Sequence, residues 1–349
     1  MSDDTSRNLF QQQEANRRRT FWLVVGFVIF FAWLGFGGDY IFYLYTLEAP
    51  PGEYHHSFPW FGIGLALVAL AVAAYAYKTG PEKVLWATGA REVVDPQDPK
   101  DKQLVNVVEE MAIAAGVPRP RIWIVDDSDP NAFATGTEPS NAHVSVTRGL
   151  LEVCTRDELQ GVIGHELGHV KNLDVRLMTT LAALVGAVAL MHDGATRVLR
   201  GGIRVGGRGG GGGGGSRGGK KGGGGALLLI LLVVWIASWI LAPLITQLLA
   251  IAVSRKREYL ADAMSAQFTR NPLALASALQ KIESAAAPTA KIKRGAAHLC
   301  IADPLGRRLT DREGFVADLL ASHPPMAKRI TILRGMGYAQ IKKDGGIAS

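Results

Sequence analysis

The chain has 349 residues, 48% of them hydrophobic and 41 of them glycine, with a formal net charge of +7 and a positive mean hydropathy. That balance is too apolar for an ordinary soluble enzyme and points to membrane segments. Two cysteines, Cys154 and Cys300, exclude a disulfide framework and fit a reducing compartment. Neither has metal-motif spacing, and both read as buried thiols.

From the N-terminus, Arg17, Arg18 and Arg19 precede an apolar stretch from Phe21 to Gly38. A second runs from Phe58 to Tyr77 and is followed by Lys78. Both approach the roughly 20 apolar residues that cross hydrocarbon. No small-residue cleavage site follows the first, so it reads as an anchor and not a removed signal. The loop from Asp39 to Ser57 carries Asp39, Glu48 and Glu53 but no Lys or Arg, which places it outside and the N-terminus in the cytoplasm. His55 and His56 on that loop read as solvated. The block 78–175 then lies in the cytoplasm.

Within that block, Leu104, Val107, Val108, Met111 and Ala115 recur at helical spacing over Lys102 to Ala115, and Gly116 stops the helix. Residues 121–126 and 142–147 have strand composition, with His143 on the second and no partner for it evident. Between them lies Asn131-Ala132-Phe133-Ala134-Thr135-Gly136, short, small-residued and preceded by Pro130. It reads as an ordinary turn region or as a short edge strand, and such an edge binds an extended backbone by main-chain hydrogen bonds. Thr155 with Glu158 forms a capping box that opens the next helix.

That helix contains His165-Glu166-Leu167-Gly168-His169, flanked by Val162, Ile163 and Val170. Two histidines one turn apart share a face and can grip one Zn²⁺. Zinc lowers the pKa of water to about 7, and Glu166 is placed to take its proton, giving a nucleophile for a peptide carbonyl. The alternative is a pair of satisfied histidines on a core helix.

Downstream, Leu177 to Leu190 is apolar but short for a span, and Ala226 to Val253 is long and interrupted by Pro243. The loop 193–225 between them holds Arg197, Arg200, Arg204, Arg208, Arg217, Lys220 and Lys221, against the charge rule if both stretches span. It translocates regardless, or the third stretch packs on the catalytic domain, or the pair is a re-entrant hairpin. Residues 206–225 are nearly all glycine with a few cations, a flexible linker suited to acidic lipid headgroups. The tract lacks the aromatic platforms of a nucleic-acid binder. Glu258 and Asp262 then lie one turn apart, either as a third ligand with a supporting carboxylate or as a solvated pair balancing Arg255, Lys256 and Arg257. Residues 274–287 and Phe315 to Ala321 are rich in helix formers. Ser322-His323-Pro324-Pro325 opens a last helix near Met326. His323 and Arg329 read as supporting residues: His323 beside a carboxylate or the reacting oxygen or as a cap, Arg329 paired with Asp262 or Glu258 or on the surface. No internal repeat and no phosphate-binding G-x-x-x-x-G-K-[ST] loop occurs.

Four stretches, 131–136, 165–169, 258–262 and 322–325 with Arg329, occur in an order that resembles the M48 family of membrane zinc metallopeptidases, its HtpX-like branch, over roughly residues 15–340. The resemblance implies one Zn²⁺ held by His165, His169 and Glu258, with Glu166 as catalytic base. It implies Asp262, His323 and Arg329 in support, and Asn131, Ala132, Phe133 and Ala134 on a substrate-binding edge strand. The expected fold is a mostly α integral membrane protein with a zincin-like (gluzincin) α+β domain, a small sheet and two hydrophobic hairpins. The expected boundaries are 1–80 for the first hairpin, 81–175 and 254–345 for the halves of the protease domain, and 176–253 for the second hairpin with its Gly/Arg-rich loop 201–225. ATP-independent proteolysis of misfolded or membrane proteins in stress response is the implied role, at the plasma or inner membrane with the catalytic domain in the cytoplasm. Unfolded or membrane protein substrates and the lipid bilayer are the expected partners, without nucleic acid; the oligomeric state is left open. A prenyl-protein (CAAX) endopeptidase is the alternative within the class, disfavoured by having at most four spanning candidates. An inactive membrane scaffold is disfavoured by the intact motif.

Overall fold

The computed structural model describes residues 2–47, 49–188, 236, 256–285, 299–301 and 324–344. The loop 193–225, most of the fourth apolar stretch, the helix expected at Phe315 to Ala321, and His323 lie outside them. The chain divides into two compact units, one of Met1–Trp22, Ala76–Ala183 and Leu248–Ser349, the other of Leu23–Tyr75 and Leu184–Gln247.

In the second unit run the apolar parts of α1 (Ser2–Thr46) and α2 (Trp60–Thr88). Both helices are long and apolar enough to cross a membrane. They approach closely where Gly35 meets Gly62: a Cβ built on Gly35 would lie 2.7 Å from the Gly62 Cα. Small residues permit such backbone contact where lipid supplies no hydrophobic drive between helices. A carboxylate anchors the connection between the helices, alongside the Thr46 hydroxyl, which accepts the His56 amide at 2.9 Å. Asp39 accepts the amides of Phe61 (3.2 Å) and Gly62 (2.5 Å), capping the start of α2, and its Oδ1 lies 2.7 Å from His56 Nε2. The Tyr54 hydroxyl meets the other His56 nitrogen at 2.9 Å. His56 is therefore buried and paired, contrary to its reading as a solvated loop histidine. The reason is that a buried carboxylate needs more than backbone donors.

The first unit carries a four-stranded sheet in the order β1-β2-β4-β3, made of β1 (Arg91–Glu92), β2 (Arg121–Val125), β3 (Ala132–Thr135) and β4 (His143–Thr147). β2 and β4 are parallel, and β1 and β3 add antiparallel on either side. His143 finds the partner that its sequence did not disclose, accepting from the Trp123 indole at 3.0 Å. Helix α3 (Pro99–Ala115) is capped by Asp98 and ends at Gly116, whose φ of 66° is the left-handed stop glycine allows. After α4 (Arg148–Val153), helix α5 (Arg156–Lys171) begins with the expected Thr155–Glu158 capping box. Helix α6 covers 174–188, followed beyond the gap by α7 (Lys256–Thr269), α8 (Pro272–Ser284) and α9 (Met326–Asp344). Ile122, Ile124, Val144 and Val146 of the sheet, Leu104 and Val108 of α3, and Leu159, Ile163 and Leu167 of α5 share one buried core. Each such side chain contributes about 1.5–3 kcal/mol by leaving water. Cys154 and Cys300 are buried and in no disulfide, and burial pushes the Cys154 thiol up to about 12.

What brings α7 and α8 tight against α5 is a glycine face. A Cβ on Gly161 would meet the Leu275 amide nitrogen at 2.9 Å, one on Gly164 the Ser265 Oγ at 3.1 Å, and one on Gly168 the Ala261 Cα at 3.3 Å. The Ser265 hydroxyl closes the contact by donating to the Gly161 carbonyl at 2.6 Å. Gly161→Ala should therefore destabilise the fold by about 1–3 kcal/mol despite the better helix former. Gly335→Ala, at an exposed α9 position with nothing within 4 Å, should stabilise by up to about 1 kcal/mol. Denaturation midpoints of the two variants check the opposite signs.

Candidate metal centre

Helix α5 places His165 and His169 one above the other with ring centroids 4.7 Å apart, and α7 brings Glu258 to them. The two Nε2 atoms are 3.2 Å apart; Glu258 lies 3.6 Å from that of His165 and 3.5 Å from that of His169. These are close to the edges of a tetrahedron with metal–ligand bonds of about 2.0–2.1 Å, which measure about 3.3 Å. Among the described residues, His165, His169 and Glu258 are the group with metal-holding geometry.

The outer nitrogens explain the orientation of both rings. His165 Nδ1 lies 2.9 Å from Asp262 Oδ1, and His169 Nδ1 lies 3.1 Å from Asp174 Oδ2. With each outer nitrogen held by a carboxylate, Nε2 is the atom that faces the shared space and would ligate a bound cation. Two lone pairs and a carboxylate converging in a buried space call for a cation. The same electrostatics act on His165 itself: burial opposes its charge, but Asp262 and Glu258 outweigh that and raise its pKa to about 9.

Asp262 is in turn fixed by Arg329, the bulkiest fully buried side chain among the described residues. Its Nε and one terminal nitrogen reach Asp262 at 2.9 and 2.7 Å, a bidentate clamp, and its other terminal nitrogen lies 3.4 Å from Glu258. Burial alone would push the Asp262 carboxyl up, yet Arg329 and His165 hold it down at about 2. Of the surface and supporting roles left open for Arg329, the buried one is observed.

Glu166 is 1% exposed, and neither carboxylate oxygen has a hydrogen-bond partner. Burial lifts its pKa above the usual carboxylate range, while the two histidines pull the other way. It lines the cleft with His169, Glu258, Ala134, Met178 and Leu299. β3 runs along one side of α5. Asn131 turns its side chain back onto the Ala132 amide at 3.0 Å. Phe133 pairs antiparallel with Cys300, and Ile301 donates its amide to the Ala132 carbonyl at 2.9 Å. His323 falls outside the described residues. Asp174 was missed in the sequence, although its place five residues beyond His169 in a polar turn was the available signal.

A buried, unbonded carboxylate beside a group that could hold a cation is the arrangement expected of a metallopeptidase. Comparison with known proteins narrows it: residues 98–337 match the description of peptidase family M48, and the chain belongs to that family, among its HtpX proteases. It is 38% identical to a protease HtpX homolog of Dictyoglomus turgidum over 96% of this chain and 98% of that one. It is 40% identical to one of Lactiplantibacillus plantarum over 94% and 100%. Among solved structures it resembles S. mikatae Ste24p with a TM-score of 0.43, at 18% identity, over 89% of this chain and 66% of that one. The protein is a membrane-associated metalloendopeptidase that uses a metal cofactor.

Arg329→Leu leaves Asp262 buried without its cation and should cost about 3–5 kcal/mol. Arg329→Lys should recover little, because a single ammonium cannot replace a fork. Thermal or denaturant unfolding of both variants measures this.

Proposed function

We propose that the metal is Zn²⁺, held by His165 Nε2, His169 Nε2 and the Glu258 carboxylate, and that the protein hydrolyses peptide bonds of unfolded or membrane proteins in quality control without ATP. The observation that carries this is the matched triangle of two imidazoles and a carboxylate with Glu166 unbonded beside it. Nitrogen and carboxylate donors with no thiolate suit zinc. Zinc bound at such a site supplies a Lewis acid and lowers the pKa of water.

Glu166 is the general base. Its free Oε accepts a proton from the attacking water and returns it to the departing amide nitrogen, becoming a carboxylate again. Burial raises its proton affinity towards the range where both transfers are feasible near neutral pH. Asp262 and Asp174 keep the imidazoles in register throughout, and Arg329 keeps Asp262 charged. Asn131, Ala132, Phe133 and Ala134 form the rim on which an extended substrate lies. That the edge accepts an antiparallel backbone is supported by its pairing with Cys300 and Ile301, a segment of this chain that substrate would displace at Ala132 and Phe133. Main-chain recognition of this kind selects extended chain over a particular side-chain sequence. For His323, outside the described residues, the supporting role is the one the resemblance implies.

We infer further that the protein is multi-pass, with its N-terminus and catalytic unit in the cytoplasm; the arginines at 17–19 and the loop 39–57, without Lys or Arg, support this. The hydrophobic stretches after residue 176 form a second hairpin whose glycine-rich loop contacts acidic lipids and not nucleic acid.

Glu166→Gln should retain zinc while cleavage of a casein-like unfolded substrate falls at least about 100-fold. Glu258→Ala should lower zinc content by elemental analysis. Undiminished cleavage in the first or unchanged metal in the second refutes the assignment. In sealed vesicles, protease added at the cytoplasmic face should digest the catalytic unit. Its protection from that side refutes the orientation, and the side from which 193–225 is cut shows whether the second hairpin spans.

A further inference from the structure

The two ligand histidines are backed by carboxylates, and the carboxylates are backed differently. Asp262, behind His165, is clamped by the Arg329 guanidinium. Asp174, behind His169, is 1% exposed and is held chiefly by a neutral amide from the far N-terminal part of the chain. Asn16 on α1, itself 3% exposed, donates its Nδ2 to Asp174 Oδ1 at 2.7 Å and to the Asn172 carbonyl at 3.0 Å. One turn earlier, Gln13 donates to the Lys171 carbonyl at 2.7 Å. The other groups at Asp174 are His169 on Oδ2 and Arg257, whose nearest nitrogen is 3.9 Å from Oδ1.

These bonds fall where α5 ends and the chain reverses. The last carbonyls of a helix have no partner within it. Here the carbonyls of Lys171 and Asn172 receive amides from α1. The next residue, Leu173, adopts a φ of 59°, a left-handed conformation that costs a non-glycine residue about 1 kcal/mol or more. Such a turn persists only where its surroundings fix it. Leu173 is buried on one side, and Asn16 bridges the residues before and after it on the other. This turn returns Asp174 beneath His169.

We propose that Asn16 is a positioning residue for the metal centre: through Asp174 it holds the His169 imidazole in its ligating tautomer and orientation, and so ties the zinc site to the helix that leads into the first membrane-crossing stretch. The inference rests on the zinc reading above. Carboxylates that orient metal-bound histidines are worth about 10–100-fold in metal affinity or activity. Asn16 acts one bond further out, and its loss should sit near the lower end.

The test is a double-mutant cycle on the full chain in detergent, with zinc affinity read by competition against a chromophoric chelator and the ligand field read from the absorption spectrum of the Co²⁺-substituted protein. Asn16→Ala should weaken zinc about 10-fold and shift the Co²⁺ bands, and Asp174→Ala about 10–100-fold. The double variant should be no weaker than Asp174→Ala alone, because Asn16 acts through that carboxylate. Asn16→Asp, isosteric but with an acceptor in place of the donor, should lose at least as much as Asn16→Ala. Arg17→Ala, on the exposed side of the same helix, should leave zinc affinity and the Co²⁺ spectrum as they are. Wild-type zinc affinity in Asn16→Ala overturns the proposal, as do losses that multiply in the double variant. If the alanine variant fails to fold, unchanged affinity in Asn16→Asp overturns it equally. A wild-type chain that binds no zinc overturns both this proposal and the zinc reading; a wild-type chain that binds zinc, with both Asn16 variants unchanged, overturns this proposal alone.

Discussion

The structure turns on the distance between two helices. Glu258 completes a ligand triangle with His165 and His169 only because α7 lies close enough to α5 for a glutamate to reach across. Gly164 and Gly168 set that distance, with Ser265 and Ala261 filling the space that side chains would take, and Gly161 does the same for Leu275 of α8. A shift of α7 by one ångström would move the carboxylate out of coordinating range, since metal–oxygen bonds tolerate deviations of only about 0.2 Å. Core packing and metal chemistry are therefore one problem in this chain.

Around that contact the polar groups are arranged in pairs. Each imidazole points one nitrogen at the shared space and the other at a carboxylate. Asp262 has its charge largely answered by the Arg329 clamp, while Asp174 faces an amide and a more distant Arg257. Glu166 lies among these pairs without belonging to one, which is what a group that must gain and lose a proton requires.

Much of the centre was legible in the sequence because its signals are local. The spacing of His165 and His169 is a helical turn, that of Glu258 and Asp262 another, and the Thr155–Glu158 box marks where the first helix starts. The strands at 121–125 and 143–147 announced themselves by β-branched and aromatic composition. What was not legible depended on contacts distant along the chain. Asp174 carries no motif, and Asn16 lies 158 positions from the carboxylate it serves. His56 was misread because only the fold shows that Asp39 is buried beside it. β1 is two residues long, too short for alternation to register.

The glycine face has a consequence for how the enzyme comes into being. Glycine lowers helix propensity by about 1 kcal/mol per residue relative to alanine, so three of them leave α5 little helical preference of its own. The partners that compensate, α7 and α8, come from the far side of the second pair of apolar stretches and are synthesised after it. A nascent or truncated chain ending before residue 256 has two of the three ligands on a helix that is poorly held. The triangle of His165, His169 and Glu258 therefore closes only once the segment beyond residue 255 has been made.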